Sequence, residues 1–217
     1  MRAERKQHSG RLTGRMGKGA VRMGEKSLQK KKHILETARK VFIEKGYKRV
    51  TMKDIVEACG ISRGGLYLYF NNTGEIFLEI MKMENQESGG LLPADIPEEA
   101  TAAEILAMFL EGRKEEILRR EDALTQAVYE FYFENNLPKK EDLLKWRFDA
   151  SVRIIEALIS TGVENGELSC GDCEGRARSI MYTMEGLKIS AQTIGVTSDM
   201  VDREISYILG SLELTEE

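Results

Sequence analysis

The segment ISRGGLYLYF, residues 61–70, decides the fold, because it sets two adjacent glycines before a run of large side chains. A glycine inside a helix costs about 1 kcal/mol relative to alanine. Ser62 is nevertheless a good helix cap, and Leu66 and Phe70 lie four residues apart, on one face of the helix that would follow. The segment therefore predicts a short helix held to a core by one face.

A second short helix is predicted directly before this one, in residues 51–59, TMKDIVEAC. Thr51 and Asp54 have the spacing of a capping box, and Gly60 would end the helix. A helix, a turn of about three residues and a second helix form the helix-turn-helix pattern. In that pattern the second helix, the recognition helix, lies in the DNA major groove.

The outer face of the recognition helix has the chemistry of a DNA contact. Glycine allows close approach of a backbone, and the helix start offers free N–H groups to a phosphate. Arg63 is a candidate for a guanine contact, and the hydroxyls of Tyr67 and Tyr69 can donate to phosphate oxygens. The alternative is a glycine-rich turn before an aromatic core cluster, which leaves the flanking spacing unexplained.

The charge of the 217-residue chain is unevenly distributed. The net charge of −4 divides into +10 for residues 1–80 and −14 for residues 81–217. A basic end on an acidic body favours a polyanionic partner, although residues 1–32 alone carry +9 and could be a basic tail on an acidic globule. No apolar run has the length of a membrane span, and three cysteines argue against a disulfide framework. The basic N-terminus lacks the apolar region of a secretory signal, so we expect a cytoplasmic protein that does not enter a membrane.

Three regions are expected along the chain. Residues 1–26 are rich in Gly, Arg and Lys without an apolar period, which predicts a disordered basic arm. Residues 27–72 would form the helix-turn-helix domain. Residues 73–217 would form a second helical domain, because apolar residues recur there at helical spacing and alternation at period two is absent. The predicted fold class is all-α.

Residues 31–80 resemble the DNA-binding domain of the tetracycline-repressor (TetR/AcrR) family over about fifty residues. The motifs are A-x-x-x-F-x-x-x-G-Y, T-x-x-x-I-V-x-x-x-G and S-x-G-x-L-Y-x-Y-F. The resemblance implies an all-helical homodimer that regulates transcription, usually as a repressor, with a variable C-terminal domain that binds a small molecule. It implies DNA contacts at Thr51, Lys53, Ser62, Arg63, Gly64, Gly65, Tyr67, Leu68 and Tyr69.

Thr73 departs from the family pattern, which usually has a phosphate-binding lysine at this place. Thr73 would cap the helix that follows and keep a hydroxyl for DNA, but it lacks the positive charge. We expect one fewer counterion released per subunit and a shallower salt dependence of DNA binding.

The C-terminal region is predicted to hold a ligand cavity among helices near residues 101–118, 121–136, 141–163, 173–194 and 198–212. Rings and thioethers suit an adaptable apolar pocket, although at helical spacing plain core packing is favoured for each residue taken singly. No basic cluster is evident in this region, so we expect an apolar or amphipathic ligand. The candidate ligand-binding residues are Tyr129, Tyr132, Phe133, Trp146, Met181 and Met184.

The resemblance also implies that the last two helices pair with those of a second subunit. Their apolar faces must serve both this contact and their own subunit, and the sequence does not divide them. The candidate dimerisation residues are Ile180, Leu187, Ala191, Ile205, Ile208, Leu209 and Leu212.

Two other function classes remain as alternatives. Cys170 and Cys173 form a C-x-x-C pair that could sense redox state or metal, but a zinc site would need two further ligands and none is near in the sequence. We therefore expect no metal and no cofactor. An enzyme is disfavoured, because no catalytic set or phosphate loop is present. A protein-binding adaptor with weakened DNA binding remains open through Thr73.

Overall fold

The structure is a computed structural model that describes residues 18–87, 91–93, 95–119, 124–135 and 142–214. Throughout these ranges the regular secondary structure is helical, which confirms the predicted all-α fold class. None of the described helices is long and apolar enough to cross a membrane. The helices are α1 (Lys18–Lys45), α2 (Met52–Cys59), α3 (Arg63–Tyr67), α4 (Thr73–Glu87), α5 (Ala102–Leu118), α6 (Thr125–Glu134), α7 (Leu143–Glu164), α8 (Cys173–Thr193) and α9 (Ser198–Gly210).

Helix α1 begins earlier than the sequence predicts. The structure places residues 18–26 in this helix, whereas the composition predicts a disordered arm for residues 1–26. Extending an existing helix costs far less than nucleating one, and lysine, arginine, alanine and methionine are all good helix formers. The remainder of the predicted arm, residues 1–17, lies outside the described residues.

The first of two hydrophobic cores joins the N-terminal helices to one helix from far along the chain. Apolar side chains of α1 to α4 pack together with Leu124, Ala127 and Phe131. Helices α4 and α6 therefore pack with the helix-turn-helix domain, whereas the sequence predicts that residues 73–217 form the second helical domain. The reason is that α4 and α6 turn their apolar stripes towards α1, which the amphipathic pattern of each helix alone does not reveal.

An aromatic cluster connects α6 to this core. The ring of Phe131 lies 4.9 Å from the ring centroid of Tyr47, 5.1 Å from that of Phe77 and 5.8 Å from that of Tyr132. Phe42 completes the cluster, 4.8 Å from Phe77 in an edge-to-face arrangement. Such ring pairs stabilise a core beyond their area of burial.

The second core is formed by α5, α7, α8 and α9. Its helices begin at capped positions. Thr101 and Glu104 form a capping box at α5, and the carboxylate of Asp172 accepts a hydrogen bond from the amide of Gly175 at α8. Within the core, Leu106, Ile155 and Val201 are fully shielded or nearly so. Helices α5 and α7 to α9 thus form the C-terminal domain.

Asp54 links the end of α1 to the start of α2. Its carboxylate accepts hydrogen bonds from Lys45 Nζ at 2.8 Å, from the Thr51 amide at 2.8 Å and from the Thr51 hydroxyl at 2.6 Å. The Lys45 ammonium, followed by the two Thr51 donors, holds the pKa of this carboxyl far below its ordinary value. The predicted capping box is therefore present and is reinforced by Lys45.

We expect Phe131→Ala to lower the free energy of unfolding by about 3–5 kcal/mol, because it leaves a cavity among the rings. The exposed Phe133, on the same helix, provides the matched control. Phe133→Ala should change the unfolding free energy by less than about 0.5 kcal/mol. Denaturant titration of both variants measures the difference, and equal effects would contradict this account of α6.

A pH titration tests the role of Asp54. Because folding lowers its pKa, its stabilisation is present above the pKa of the unfolded chain, about 3.9, and is lost as the pH falls through the folded-state pKa. The wild type should therefore be more stable than Asp54→Asn near pH 6, and this difference should shrink steadily below about pH 4. A difference in unfolding free energy that stays constant down to pH 3 would rule the ionised cap out.

Candidate DNA interface and internal cavity

The turn between α2 and α3 depends on Gly60. Its φ of +62° lies in the left-handed region, where side chains other than glycine are strained. Its amide donates to the carbonyls of Glu57 and Val56 and so closes the end of α2. Three residues then separate α2 from α3, the spacing that the helix-turn-helix pattern predicts.

The two glycines at the start of α3 have different roles. Ser62 caps the helix, since its Oγ accepts from the Gly65 amide at 3.1 Å. A Cβ at Gly65 would lie 3.1 Å from the same Oγ and crowd the cap. A Cβ at Gly64 would meet nothing within 4 Å. Packing therefore explains Gly65, whereas Gly64 leaves the backbone open to a large partner at the surface.

The outward face of α3 and its C-terminus carries a cation and two large side chains. The Arg63 guanidinium lies 5.7 Å from the centre of the Tyr67 ring, at a distance where cation and ring attract each other. Tyr67 is exposed, and Leu68 is 83% exposed. Leu66 points the other way and is fully buried. The short helix is thus divided into a face towards the core and a face free to enter a groove.

Helix α1 contributes residues to the surface beside α3. The Ser27 hydroxyl donates to the Tyr69 hydroxyl at 3.3 Å, and the Tyr69 ring packs against the first core. The Lys30 ammonium lies 3.7 Å from the position that a Cβ at Gly65 would occupy. The sequence gives no signal for Ser27 or Lys30, because only the tertiary structure brings this part of α1 beside the recognition helix.

Two further predicted DNA residues lie at the start of α2. The Thr51 hydroxyl donates to the Asp54 carboxylate and accepts from the Asp54 amide, so it is part of the helix cap. Lys53 is largely exposed and lies 3.6 Å from Glu57. Exposed pairs of this kind are weak. The Lys53 ammonium is therefore available to a phosphate.

The start of α4 corrects the expected role of Thr73 as a cap. The Asn72 side chain accepts from the Glu75 amide at 2.8 Å, and Thr73 is the first residue of the helix itself. Asparagine is the stronger cap of the two. The Glu75 carboxylate in turn accepts from the Asn71 amide at 2.8 Å. Thr73 thus keeps its hydroxyl free of the cap, at a half-buried position.

A cavity of about 600 Å³ lies between the two cores. Its volume is within the usual range for small-molecule sites. Residues from α1 and α4 to α8 line it, so both domains form its wall. The apolar residues of the lining are Met81, Leu124, Val128, Leu143, Leu144, Phe148 and Met181, and the charged residues are Arg39, Glu84, Arg113, Glu116, Arg119, Arg147, Glu185 and Lys188.

Two tyrosines of α6 fix hydrogen bonds in the cavity wall. The Tyr129 hydroxyl donates to Glu185 Oε2 of α8 at 2.6 Å. Burial, with the nearby Glu185 charge, raises the pKa of Tyr129 far above its ordinary value. The Tyr132 hydroxyl accepts from the Leu144 amide of α7 at 2.9 Å, and burial raises its pKa as well. Both tyrosines therefore hold α6 against the second domain.

The structure brings three of the six predicted ligand residues to the cavity. Tyr129, Tyr132 and Met181 line it. Met184 is buried in the second core, one turn from Met181 but outside the lining. Phe133 and Trp146 are exposed and also lie outside it. Helical spacing alone does not show which face of a helix meets the cavity, and ligand binding by these residues stays a prediction.

The sequence-based expectation that the C-terminal region holds no basic cluster is wrong. Five basic side chains line the cavity, four of them from beyond residue 100. A signal for them was present. Arg113 lies on the buried stripe of α5, between Phe109 and Ile117, and Arg147 lies four residues before the buried Ser151. A cation on an apolar stripe indicates a polar cavity.

Most of the predicted dimerisation residues face their own subunit. Leu187 and Leu209 are half-buried against the second core. A side chain shielded within its own subunit offers no surface to a partner, because the same apolar area cannot be buried twice. The five that are buried in this way are Ile180, Ala191, Ile205, Ile208 and Leu212.

The C-x-x-C pair lies at the start of α8. Cys170 and Cys173 are free thiols, each half-buried against the second core. Neither belongs to a group of three or more potential metal ligands in the described ranges, where no such group is found.

Two family models match the chain along most of its length. The model of bacterial regulatory proteins of the tetR family matches residues 34–80, which contain α2 and α3. The model of the tetracyclin repressor-like C-terminal domain matches residues 105–202, which contain most of the cavity wall. The two matches therefore cover both domains.

Individual relatives and solved structures are consistent with these two family matches. The HTH-type transcriptional regulator YfiR of Bacillus subtilis is 34% identical over 136 residues, which span 62% of this chain and 65% of that protein. The fatty acid metabolism regulator protein of Bacillus subtilis is 25% identical over 152 residues, 69% of this chain and 76% of that protein. A TetR transcription regulator from Haloarcula marismortui, 14% identical, superposes with a TM-score of 0.68 over 86% of this chain and 99% of its own. The chain thus belongs to the TetR family of DNA-binding transcriptional regulators.

Proposed function

We propose that this regulator is a cytoplasmic homodimeric repressor, which binds a pseudo-palindromic operator and is released by a small molecule in the cavity. The observation that carries the DNA-binding part is the divided helix α3, with Leu66 buried and Arg63, Tyr67 and Leu68 facing outward. Two such helices, one from each subunit, would enter successive major grooves about 34–36 Å apart.

Each outward residue has a chemical role in this proposal. Arg63 suits a guanine edge, to which arginine donates two hydrogen bonds. The Tyr67 hydroxyl suits a phosphate, and Leu68 suits a thymine methyl group. The exposed ammonium groups of Lys30 and Lys53 would contact phosphates on either side.

The dimer contact would use the exposed face of α8 and α9. Large exposed side chains lie there at Tyr182, Ile189 and Tyr207. A Cβ at Gly186 or Gly210 would meet nothing within 4 Å, so both helices could approach a partner closely. Spacings of four and three residues place Tyr182, Gly186 and Ile189 on one seam, which suits helix packing at a shallow angle.

The cavity and the DNA-binding domain share α6, which offers a route for release. Val128, Tyr129 and Tyr132 line the cavity, while Phe131 lies between them in the aromatic cluster. The Glu130 carboxylate, on the same helix, accepts from the Lys48 amide at 3.0 Å. A ligand that displaces α6 would thus move the α1–α2 connection and change the position of α3.

Thermodynamic linkage sets the sign of this regulation. The ligand must bind the form released from DNA more tightly than the operator-bound form. Operator DNA must then weaken ligand binding by the same factor. Repression rather than activation is proposed because it is the usual mode that the family resemblance implies.

The test of DNA recognition is selection of genomic fragments on the purified protein, with each selected fragment bound again at two salt concentrations. We expect a recurring palindrome that survives the higher salt. Arg63→Gln should weaken operator binding by about 1–3 kcal/mol and relax the base preference at one position of each half-site. Arg153→Gln, at an exposed site on α7, is the matched control and should bind as the wild type does.

Tyr67→Ala distinguishes the regulator from a protein-binding adaptor. A DNA-binding protein loses operator affinity on this change, whereas an adaptor keeps its partner. The adaptor function would be favoured over the regulator if DNA binding is independent of sequence, disappears at the higher salt and is unchanged by Tyr67→Ala.

The dimer contact is tested by Ile189→Asp. A carboxylate buried between two copies costs several kcal/mol, so the variant should sediment as a monomer at concentrations where the wild type is a dimer. Phe133→Asp makes the same change at an exposed apolar side chain on α6 and should leave the dimer intact. Dimers of unchanged affinity in the Ile189→Asp variant would exclude this face.

A further inference from the structure

The charges around the cavity are not balanced. Among the described residues that line it, five are basic and three are acidic, so positive charge is in excess by two. The basic side chains are Arg39, Arg113, Arg119, Arg147 and Lys188, and the acidic ones are Glu84, Glu116 and Glu185. A cavity wall with an excess of cations attracts anions.

The acidic side chains are already engaged. Glu84 accepts from Arg39 Nε at 2.6 Å. Glu185 accepts from the Tyr129 hydroxyl at 2.6 Å. Glu116 lies near two further guanidinium groups, those of Arg113 and Arg147, and the charge of Glu185 also acts on Arg113.

Arg113 and Arg147 share the Glu116 carboxylate. Nη2 of Arg113 lies 2.9 Å from Glu116 Oε1, and Nη2 of Arg147 lies 3.7 Å from the same oxygen. Glu116 thus bridges two guanidinium groups, while over the whole lining positive charge exceeds negative charge by two. A bound anion near the two arginines would reduce this excess.

Arg113 has an unsatisfied donor. Its side chain is only 14% exposed, and its buried Nε has no hydrogen-bond partner in the described structure. Burial lowers the pKa of this guanidinium, although arginine keeps its charge in proteins. Its guanidinium lies 5.2 Å from the Phe109 ring. A buried donor without a partner is costly, so a shift of the Arg113 side chain that brings this shielded Nε to a bound acceptor would be favoured.

Apolar side chains form much of the rest of the cavity wall. Met81, Leu124, Val128, Phe148 and Met181 supply thioether, aliphatic and aromatic surface. Such surface binds a hydrocarbon or aromatic body and adapts to its shape. The cavity thus combines an anion-binding cluster with an apolar wall.

We propose that the effector is an amphipathic organic acid, whose anionic head group is bound by Arg113 and Arg147 and whose apolar body fills the rest of the cavity. The proposal rests on the regulator function proposed above and names the class of its ligand. A cation is disfavoured, since it would add to the positive excess and would have to compete with arginine and tyrosine for the three carboxylates. A neutral apolar ligand would leave the Arg113 donor unpaired.

Calorimetry on the full-length protein without DNA tests the head group. The probes are decanoate and 4-phenylbutyrate, each paired with the alcohol of the same carbon skeleton, together with decylamine. Each acid should bind at least about tenfold more tightly than its alcohol, because a charge-assisted hydrogen bond from arginine is lost in the alcohol. Decylamine should bind more weakly than decanoate and more weakly than the matching alcohol.

Arg147→Gln identifies the residues. It should weaken acid binding at least about tenfold and leave alcohol binding unchanged. Arg153→Gln removes a charge from the same helix at an exposed position outside the cavity and should change neither. Arg113→Gln should act as Arg147→Gln does, and Arg113→Lys should restore part of the acid affinity. If the Arg113 variants do not fold, Arg147→Gln decides the matter alone.

Three results would overturn the proposal: neither acid binds, an alcohol or the amine binds as tightly as its matching acid, or Arg147→Gln keeps full acid affinity. Operator binding of the wild type, measured without probe, distinguishes failure of the proposed regulator function from failure of the proposed effector class. Operator recognition with no preference for acids refutes the effector class alone. Acid binding without any operator recognition refutes the proposed function and leaves the binding site in place.

Discussion

The insertion of Phe131 into the N-terminal core is the contact on which the rest of the structure depends. Its ring lies about 5 Å from those of Tyr47 and Phe77, which belong to the DNA-binding domain. Helix α6, which carries it, is also fixed to the second domain by the hydroxyls of Tyr129 and Tyr132. A single helix is therefore buried against both domains. Without this contact the cavity would lose one wall.

The two binding surfaces are built by opposite uses of helix geometry. In α3, the apolar Leu66 faces inward and the charged Arg63 faces outward, as in amphipathic helices generally. In α5 and α7, Arg113 and Arg147 lie on the inward side among apolar neighbours. Burying those guanidinium groups costs solvation free energy. The shared carboxylate of Glu116 offsets part of this cost. A bound anion would offset more of it.

The sequence predicted the local structure around the helix-turn-helix well. The caps at Thr51 and Ser62 and the left-handed Gly60 are all present, because each depends on residues no more than three or four apart. The cap at α4 shows the limit of such reasoning. Both Asn72 and Thr73 are cap-forming residues, and only the backbone geometry assigns the role to Asn72.

The sequence by itself determined that the chain is helical, where most helices begin and end, and which face of α3 is exposed. These properties depend on residues only a few positions apart, and the sequence gives their spacing directly. Only the tertiary structure decided that α6 packs with the N-terminal core, that Lys30 lies beside α3, and that Arg113 and Arg147 share one carboxylate. It also decided that Ile205 faces inward while Tyr207 faces outward. These properties depend on how the helices pack against one another. An apolar stripe predicts that a helix face is buried, but it does not predict which surface covers that face.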